Sequence, residues 1–208
     1  MRTSIPFFFL LASALVSGCS TVSSRTTSEN QAIEQVSASF GHGAITLEVL
    51  TDPDLNALNG IANSCTLLVV QANNAGTLRK LLSNPFALKS LFSGAGAQDD
   101  ILKVDRYSAM PGQSATLHID RSENSRYLAV VAGYYPFPQQ QHMSLVAIPV
   151  SVENNGWLLP DWRAQLAPLS LRLRLGSSSI TQFEGAKPER ITLTSESAVP
   201  SPVAEQGT

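Results

Sequence analysis

Short segments in which apolar and polar residues alternate dominate the chain from residue 43 onward. Within residues 44–50, Ile45, Leu47 and Val49 fall on one side of an extended backbone, which is typical of a strand with one buried face. Similar alternation, or a short continuous apolar run, predicts further strands at residues 66–72, 101–107, 114–120, 127–135, 143–150, 169–175, 179–183 and 190–194. Many short strands separated by turns predict a β-sandwich.

One segment departs from this pattern and predicts a short helical insertion at residues 76–92. Its leucines recur at spacings of three and four, which places them on one face of a helix. Thr77 is the candidate cap at its start. Pro85 should divide the segment into two pieces after Ser83, because proline removes a helical hydrogen bond and clashes with the preceding turn.

The amino terminus has the pattern of a bacterial lipoprotein signal. Arg2 precedes an apolar run of about a dozen residues, which is too short to span a bilayer. Residues 16–19 then read Val-Ser-Gly-Cys, like a lipobox. We expect residues 1–18 to be removed and Cys19 to receive acyl chains such as palmitate. Ser20 is not the Asp that retains lipoproteins at the inner membrane, so we expect an outer-membrane anchor that faces the periplasm.

The two ends of the mature chain are poor in large apolar residues. Residues 19–41 are rich in Ser, Thr, Gln and Asn and predict a flexible tether between lipid and domain. Residues 195–208 have little to bury and predict a disordered tail. The β-sandwich domain is therefore expected at residues 42–194, which is long enough for one hydrophobic core.

Charge and cysteine content narrow the function further. The chain has a formal net charge of −2, which becomes −3 once Arg2, the single charged residue of the signal, is removed. This mildly acidic chain offers no basic stripe for nucleic acid. It has two cysteines. Because Cys19 is committed to lipid, Cys65 lacks an intramolecular disulfide partner, and we expect it to be a buried small apolar residue.

Candidate chemistry is sparse. His42, His118 and His142 have no spacing suited to a metal site and are expected at the surface or a sheet edge. The chain has no nucleophile-elbow, phosphate-loop or dinucleotide motif, so we expect neither an enzyme nor a cofactor. Residues 52–56 read Asp-Pro-Asp-Leu-Asn and open like a calcium loop. Ala57, however, stands where that loop needs glycine, and these residue types commonly build turns.

The connection between the first two strands is unusually long for a hairpin, whose loops usually have about 2–5 residues. It covers residues 51–64 and contains three large apolar residues, Leu55, Leu58 and Ile61. Two alternatives are open. These residues contact a partner, with Asp52 and Asp54 as charges at the rim, or they fold back on their own domain.

The order and spacing of several segments resemble the TssJ (SciN-type) outer-membrane lipoproteins of the type VI secretion system. The matching features are the lipobox, residues 51–56, the strand at 67–70, the helical segment at 86–91, the turn at 110–113, residues 126–132, and Trp162-Arg163 ahead of a Leu/Arg strand. The chain departs from the family pattern after the second strand, at residues 70–74. It departs again at the glutamine run 139–141.

This resemblance implies a transthyretin-like two-sheet β-sandwich with a short inserted helical segment and a non-enzymatic role. The family tethers the secretion machine's membrane complex to the outer membrane by binding the periplasmic carboxyl-terminal region of the inner-membrane protein TssM. The loop between the first two strands is implicated in that contact. Carried over to this chain, the candidate partner-binding residues are Asp52, Asp54, Leu55, Asn56, Leu58 and Ile61.

Two other functional classes remain open for this chain. A lipoprotein pilotin or chaperone would share the anchor and the sandwich but bind a peptide of another envelope protein at a sheet edge. An anchored enzyme would need a pocket with convergent polar groups.

Overall fold

The computed structural model describes residues 28–95, 100–135, 139–189 and Ile191. Within these residues the helices are α1 (Glu29–Glu34), α2 (Ala75–Leu82) and α3 (Pro85–Ser93), with a 3₁₀ turn at Gln140–His142. The strands are β1 (Gly41–Thr51), β2 (Cys65–Ala72), β3 (Ile101–Ala109), β4 (Ser114–Arg121), β5 (Tyr127–Ala132), β6 (Met143–Ala147), β7 (Val150–Asn154), β8 (Trp162–Leu166), β9 (Leu169–Leu175) and β10 (Ile180–Glu184). None of the helices in these ranges is long and apolar enough to cross a membrane.

Eight of these strands form two four-stranded sheets. The first has the order β10-β9-β1-β4 and the second the order β3-β2-β5-β6. Strands β1 and β9 run parallel, and the other neighbours are antiparallel. Strands β7 and β8 form a separate hairpin. The predicted mainly β, two-sheet sandwich is confirmed.

The main core lies between the two sheets because each inner face is apolar. In β9 the four leucines are buried while Ser170, Arg172 and Arg174 are exposed, as the alternation of the sequence predicted. In β1 the residues Ile45 and Leu47 are fully buried in the same core. Burying an aliphatic side chain of this size contributes about 1.5–3 kcal/mol, so this shared face holds the sheets together.

A second core explains why β2 and β5 are apolar on both faces. The outer side chains of β2, including Leu68 and Val70, pack with Leu78 and Leu88 of the helices. The helical insertion is two helices, as predicted, and Pro85 opens the second of them. The cap was predicted wrongly. Asn74 rather than Thr77 caps α2, because its side chain accepts a hydrogen bond from the amide of Gly76.

The predicted tether extends too far into the chain. Residues 28–40, which we call the arm, contain α1 and pack on the domain. Ser28 and Gln31 form a capping box at the start of α1, and Val36 and Ala38 are buried in the main core. The fold therefore begins before residue 42. Residues 1–27, which include the predicted signal, Cys19 and the first part of the tether, lie outside the described residues.

Two of the later strand predictions also need correction. The segment predicted as one strand at 143–150 is split, because β6 pairs with β5 whereas β7 pairs with β8. The strand predicted at 190–194 is not formed at Ile191, which is buried in irregular backbone. The rest of that segment and the predicted tail at 195–208 lie outside the described residues.

The two ends of the sandwich carry different features. One end, the loop pole, is formed by the β1–β2 loop (residues 52–64), the β3–β4 turn (110–113), residues 133–135 and 139–142, and the β9–β10 turn (176–179). The other end, the arm pole, carries the arm, the β4–β5 turn (122–126) and the β7–β8 hairpin. Strand β1 connects them, because it pairs with Arg121 at Gly41 and with Leu175 at Thr51.

Candidate partner-binding loop

The β1–β2 loop is hydrogen-bonded along its length to the rest of the loop pole. The amide of Asp52 donates to the carbonyl of Leu175 at 2.9 Å, and the amide of Gly112 donates to the carbonyl of Asp52 at 3.1 Å. Further along, the amide of Ala57 donates to the carbonyl of Ser177 at 2.9 Å. These bonds satisfy backbone groups that an unsupported loop would leave to water, so the loop has a defined shape.

The three large apolar residues of this loop do not share one environment. Leu55 is completely buried and belongs to the main core. Leu58 and Ile61 are 47% and 69% exposed. The prediction that Leu55 contacts a partner is therefore wrong, because its side chain holds the loop on its own domain. Leu58 and Ile61 are free to meet a partner.

A tight turn sets the positions of Leu58 and Ile61. Their backbones pair through two hydrogen bonds of 2.9 and 3.0 Å. Between them, Asn59 and Gly60 have φ angles of +53° and +79°. Positive φ at both central residues, with the sequence Asn-Gly, is the requirement of a type I′ turn. The tip of the loop is thus a small hairpin whose flanking side chains are both exposed.

Asn56 fixes the base of this tip to two neighbouring segments. Its side-chain amide donates to the carbonyl of Ser64 at 2.9 Å. Its side-chain oxygen accepts a hydrogen bond from the amide of Tyr135 at 3.2 Å. With a φ of +47°, Asn56 occupies a left-handed conformation that asparagine tolerates better than most residues. Its role among the candidate residues is to position the loop.

A buried aromatic pair supports the β9–β10 turn on which the loop rests. The Tyr134 hydroxyl donates to the carbonyl of Ser179 at 2.9 Å, and His142 Nε2 lies 2.9 Å from the carbonyl of Ser178. The two rings are 4.8 Å apart between centroids. Burial raises the pKa of Tyr134 and lowers the pKa of His142. Both side chains are therefore held in their neutral forms.

The location of His142 contradicts its predicted place at the surface, since it is 1% exposed. The other two histidines are at the surface as predicted. His118 is exposed on β4, and His42 lies 2.9 Å from the carboxylate of Asp120. The predicted burial of Cys65 is confirmed, and this burial raises the pKa of its thiol to about 11.

The acidic residues of the loop have different surroundings. Asp52 accepts a hydrogen bond from Arg174 Nε at 2.8 Å, whereas Asp54 is exposed at a turn. The side-chain groups of Asp52 and Asn56 are thus engaged by protein partners. Within the described ranges no group of three or more His, Cys, Asp or Glu side chains is arranged to hold a metal ion. Residues 53–56 form a turn in the structure.

Two further exposed apolar residues lie at the loop pole and were not among the sequence candidates. Met110 is 47% exposed and Tyr135 is 71% exposed. Met110 is tied to β1 by its carbonyl, which accepts a hydrogen bond from the Thr51 hydroxyl at 2.6 Å. The strand predicted at 127–135 includes Tyr135, whereas β5 ends at Ala132 and Tyr135 lies in the segment that follows it.

The fold and this pole define a β-sandwich that displays Leu58 and Ile61 at one end on a hydrogen-bonded loop. Comparison with protein families shows to which family the chain belongs. Residues 43–175 match the model of the family described as "Type VI secretion lipoprotein, VasD, EvfM, TssJ". The chain belongs to this family, which confirms the resemblance seen in the sequence. The matched range runs from β1 to β9 and includes the whole β1–β2 loop.

Three solved structures illustrate the similarity. The type VI lipoprotein TssJ1 from Pseudomonas aeruginosa is 19% identical, with a TM-score of 0.49 over 74% of this chain and 99% of that one. The Serratia marcescens protein Lip, a membrane-bound component of the type VI secretion system, is 17% identical, with a TM-score of 0.48 over 71% and 98%. A chain in the solved structure of the type VI protein TssM C-terminal domain from EAEC is 17% identical, with a TM-score of 0.45 over 66% and 94%. Comparison with curated protein sequences gives no match.

Proposed function

We propose that this protein is a non-enzymatic, outer-membrane-anchored lipoprotein that tethers the type VI secretion membrane complex by binding the periplasmic region of a TssM-like inner-membrane protein. Family membership supports a place in that membrane complex. The lipobox supports an anchor on Cys19. The observation that most directly supports the proposed contact is the exposure of Leu58 and Ile61 on a hydrogen-bonded turn.

The physical basis of this contact is a set of exposed apolar side chains at one pole of the sandwich. Leu58, Ile61, Met110 and Tyr135 all belong to segments of the loop pole and are 47–71% exposed. The cores of protein interfaces are enriched in aromatic residues and methionine, and a few central side chains supply most of the binding free energy. Because hydrogen bonds already hold the loop, little conformational entropy is lost when a partner binds.

Calorimetry with purified proteins tests the proposal. Residues 20–208, without the lipid, are titrated with the periplasmic carboxyl-terminal region of the cognate TssM-like protein. The double variant Leu58→Ser/Ile61→Ser is compared with Phe86→Ser, which alters a side chain that is 83% exposed on α3. We expect the double variant to lose at least about 2 kcal/mol of binding free energy, as loss of a central apolar contact does, and Phe86→Ser to bind normally.

Other results would point to different conclusions. If the double variant and the wild type bind equally, the TssM-like protein is still the partner, but the loop is not part of the contact. Absence of binding by the wild type would contradict the tethering role and favour a pilotin that binds a peptide at a sheet edge. A Cys19→Ser variant tests the anchor separately, because we expect it to leave the membrane fraction.

A further inference from the structure

The arm pole carries an exposed apolar segment that the proposed TssM contact does not use. It is the tip of the β7–β8 hairpin, where Trp157, Leu158 and Leu159 are 95%, 83% and 59% exposed. Three consecutive large apolar residues at this exposure are unusual on a soluble domain, where such residues normally occur singly. Tryptophan is also the side chain most typical of the membrane–water interface, where its ring meets lipid and its N–H meets water.

The hairpin holds this tip in a defined loop. The side-chain oxygen of Asn154 accepts hydrogen bonds from the amides of Gly156 and Asp161 at 3.0 and 3.1 Å. The amide of Asn155 donates to the carbonyl of Asp161 at 3.0 Å. A Cβ atom on Gly156 would collide with the carbonyl of Leu159, so the backbone closes on itself at a position that requires glycine. The apolar residues project from a closed loop.

The same pole is where the chain leads back to the lipid. Helix α1 packs against both β7 and β8, and the buried Arg121 links the arm to the hairpin by donating to the carbonyls of Ser39 and Leu166. Cys19 precedes Ser28 by nine residues. Nine residues span at most about 30 Å even when fully extended. An anchor on Cys19 therefore keeps the arm pole close to the bilayer.

We propose that Trp157, Leu158 and Leu159 insert into the interfacial layer of the leaflet that holds the lipid anchor. This inference rests on the proposed lipidation of Cys19 and goes beyond the TssM contact. The charged side chains of the hairpin are Glu153, Asp161 and Arg163, and its one cation, Arg163, is paired with Asp161 at 3.3 Å. The hairpin therefore offers little positive charge to anionic headgroups, and its insertion is expected to depend on the apolar side chains. Insertion is thus expected to depend little on anionic lipid or on salt.

Insertion at the arm pole has a consequence for orientation. The arm pole and the loop pole lie at opposite ends of β1, a strand of eleven residues, which corresponds to about 33 Å at the usual rise per residue. With the hairpin tip and the lipid both in the membrane, Leu58 and Ile61 face the periplasm. Two attachment points on one pole restrict tilting of the domain more than a single flexible tether does.

Depth-dependent fluorescence quenching tests the inference. The full-length lipidated protein is purified, attachment of lipid to Cys19 is verified by mass spectrometry, and the protein is placed in phosphatidylethanolamine/phosphatidylglycerol vesicles. Some vesicles contain phospholipids brominated near the headgroup. The variant Trp162→Phe leaves Trp157 as the single reporter, and Trp157→Phe leaves Trp162, which is half-buried at the start of β8. In the Trp162→Phe background, Leu158→Ser/Leu159→Ser serves as the insertion-deficient variant.

We expect brominated lipid to quench at least half of the Trp157 emission and little of the Trp162 emission, with quenching lost in Leu158→Ser/Leu159→Ser. Lipidated protein whose Trp157 is not quenched would overturn the inference and leave the anchor intact. Equal quenching of both tryptophans would also overturn it, because the domain would then lie on the membrane without a specific tip contact. Absence of lipid on Cys19 would overturn the anchor, and the inference with it.

Discussion

The side-chain oxygen of Asn56 accepts a hydrogen bond from the amide of Tyr135 at 3.2 Å, and this bond joins the β1–β2 loop to the segment that follows β5. It connects two segments that are 79 residues apart in sequence. The tip residue Ile61 and the Tyr135 ring are consequently presented at the same pole, 69% and 71% exposed. This is the pole that we propose as the partner-binding surface.

The different environments of Leu55 and Leu58 predict opposite effects of truncation. Leu55→Ala should cost about 2–5 kcal/mol of unfolding free energy, because it leaves a cavity in the main core. Leu58→Ala should change stability by no more than about 0.5 kcal/mol, as expected for an exposed site. Urea unfolding followed by circular dichroism measures both. Equal stabilities of the two variants would contradict the assignment of Leu55 to the core.

The type I′ turn predicts that Gly60 affects binding through geometry. Gly60→Val places a β-branched residue at a φ of +79°, where the left-handed backbone costs L-residues about 1–2 kcal/mol. We expect the tip to rearrange and affinity for the TssM-like region to fall, with the main unfolding transition nearly unchanged. Asn59→Gly is the matched control, since glycine accepts positive φ. Normal affinity of Gly60→Val would show that the turn is not required.

The buried His142 predicts a loss of stability at acidic pH. Burial lowers its pKa below the ordinary value of 6.5 in the folded state. As the pH falls through 6.5, the unfolded chain therefore binds protons more readily than the folded chain, and the unfolding free energy decreases. Protonation would also place an N–H on Nδ1, which has no hydrogen-bond partner among the described residues.

Unfolding free energies at pH 7.5 and pH 5 in wild type and His142→Gln measure this contribution. We expect the wild type to lose more stability between these pH values, because the other titrating groups are common to both proteins. Since His142 supports the β9–β10 turn through Ser178, affinity for the partner should fall over the same range. Identical losses in both proteins would exclude His142 as the cause.

The burial of Cys65 predicts an unreactive thiol. Its pKa is raised to about 11, mainly by burial, and the thiolate is the nucleophilic form. At pH 8 the thiolate should be roughly one part in a thousand of the folded protein. Residues 20–208 contain this single cysteine, so reaction with Ellman's reagent reports on it alone. We expect very slow labelling in buffer and rapid labelling in denaturing urea; rapid labelling in buffer would contradict the buried location.

Much of the sandwich could be predicted because the sequence pattern matches the local burial. The alternation of leucine with arginine in β9 follows directly from one buried and one exposed face. The continuous apolar run of β2 reflects a strand covered by the opposing sheet on one side and by helices on the other. Pro85 divides the helical insertion where its missing N–H and ring sterics require.

Other features depend on contacts that periodicity does not encode. Nothing in the spacing of Leu55 and Leu58 separates a buried residue from an exposed one; the difference arises because Asn59-Gly60 folds the tip into its own hairpin. That dipeptide is a readable turn signal. The capping box of Ser28 and Gln31 was similarly readable, but the polar composition around it concealed a short helix.

Photo-crosslinking in cells tests whether the loop pole contacts the TssM-like protein. A photoreactive amino acid replaces Ile61 at the loop pole or, as a control, Phe86 on α3, which is more exposed, in the full lipidated chain with the rest of the secretion machine present. We expect a crosslink from position 61 to the periplasmic region of the TssM-like protein and none from position 86. A crosslink to that protein from position 86, with none from position 61, would contradict it.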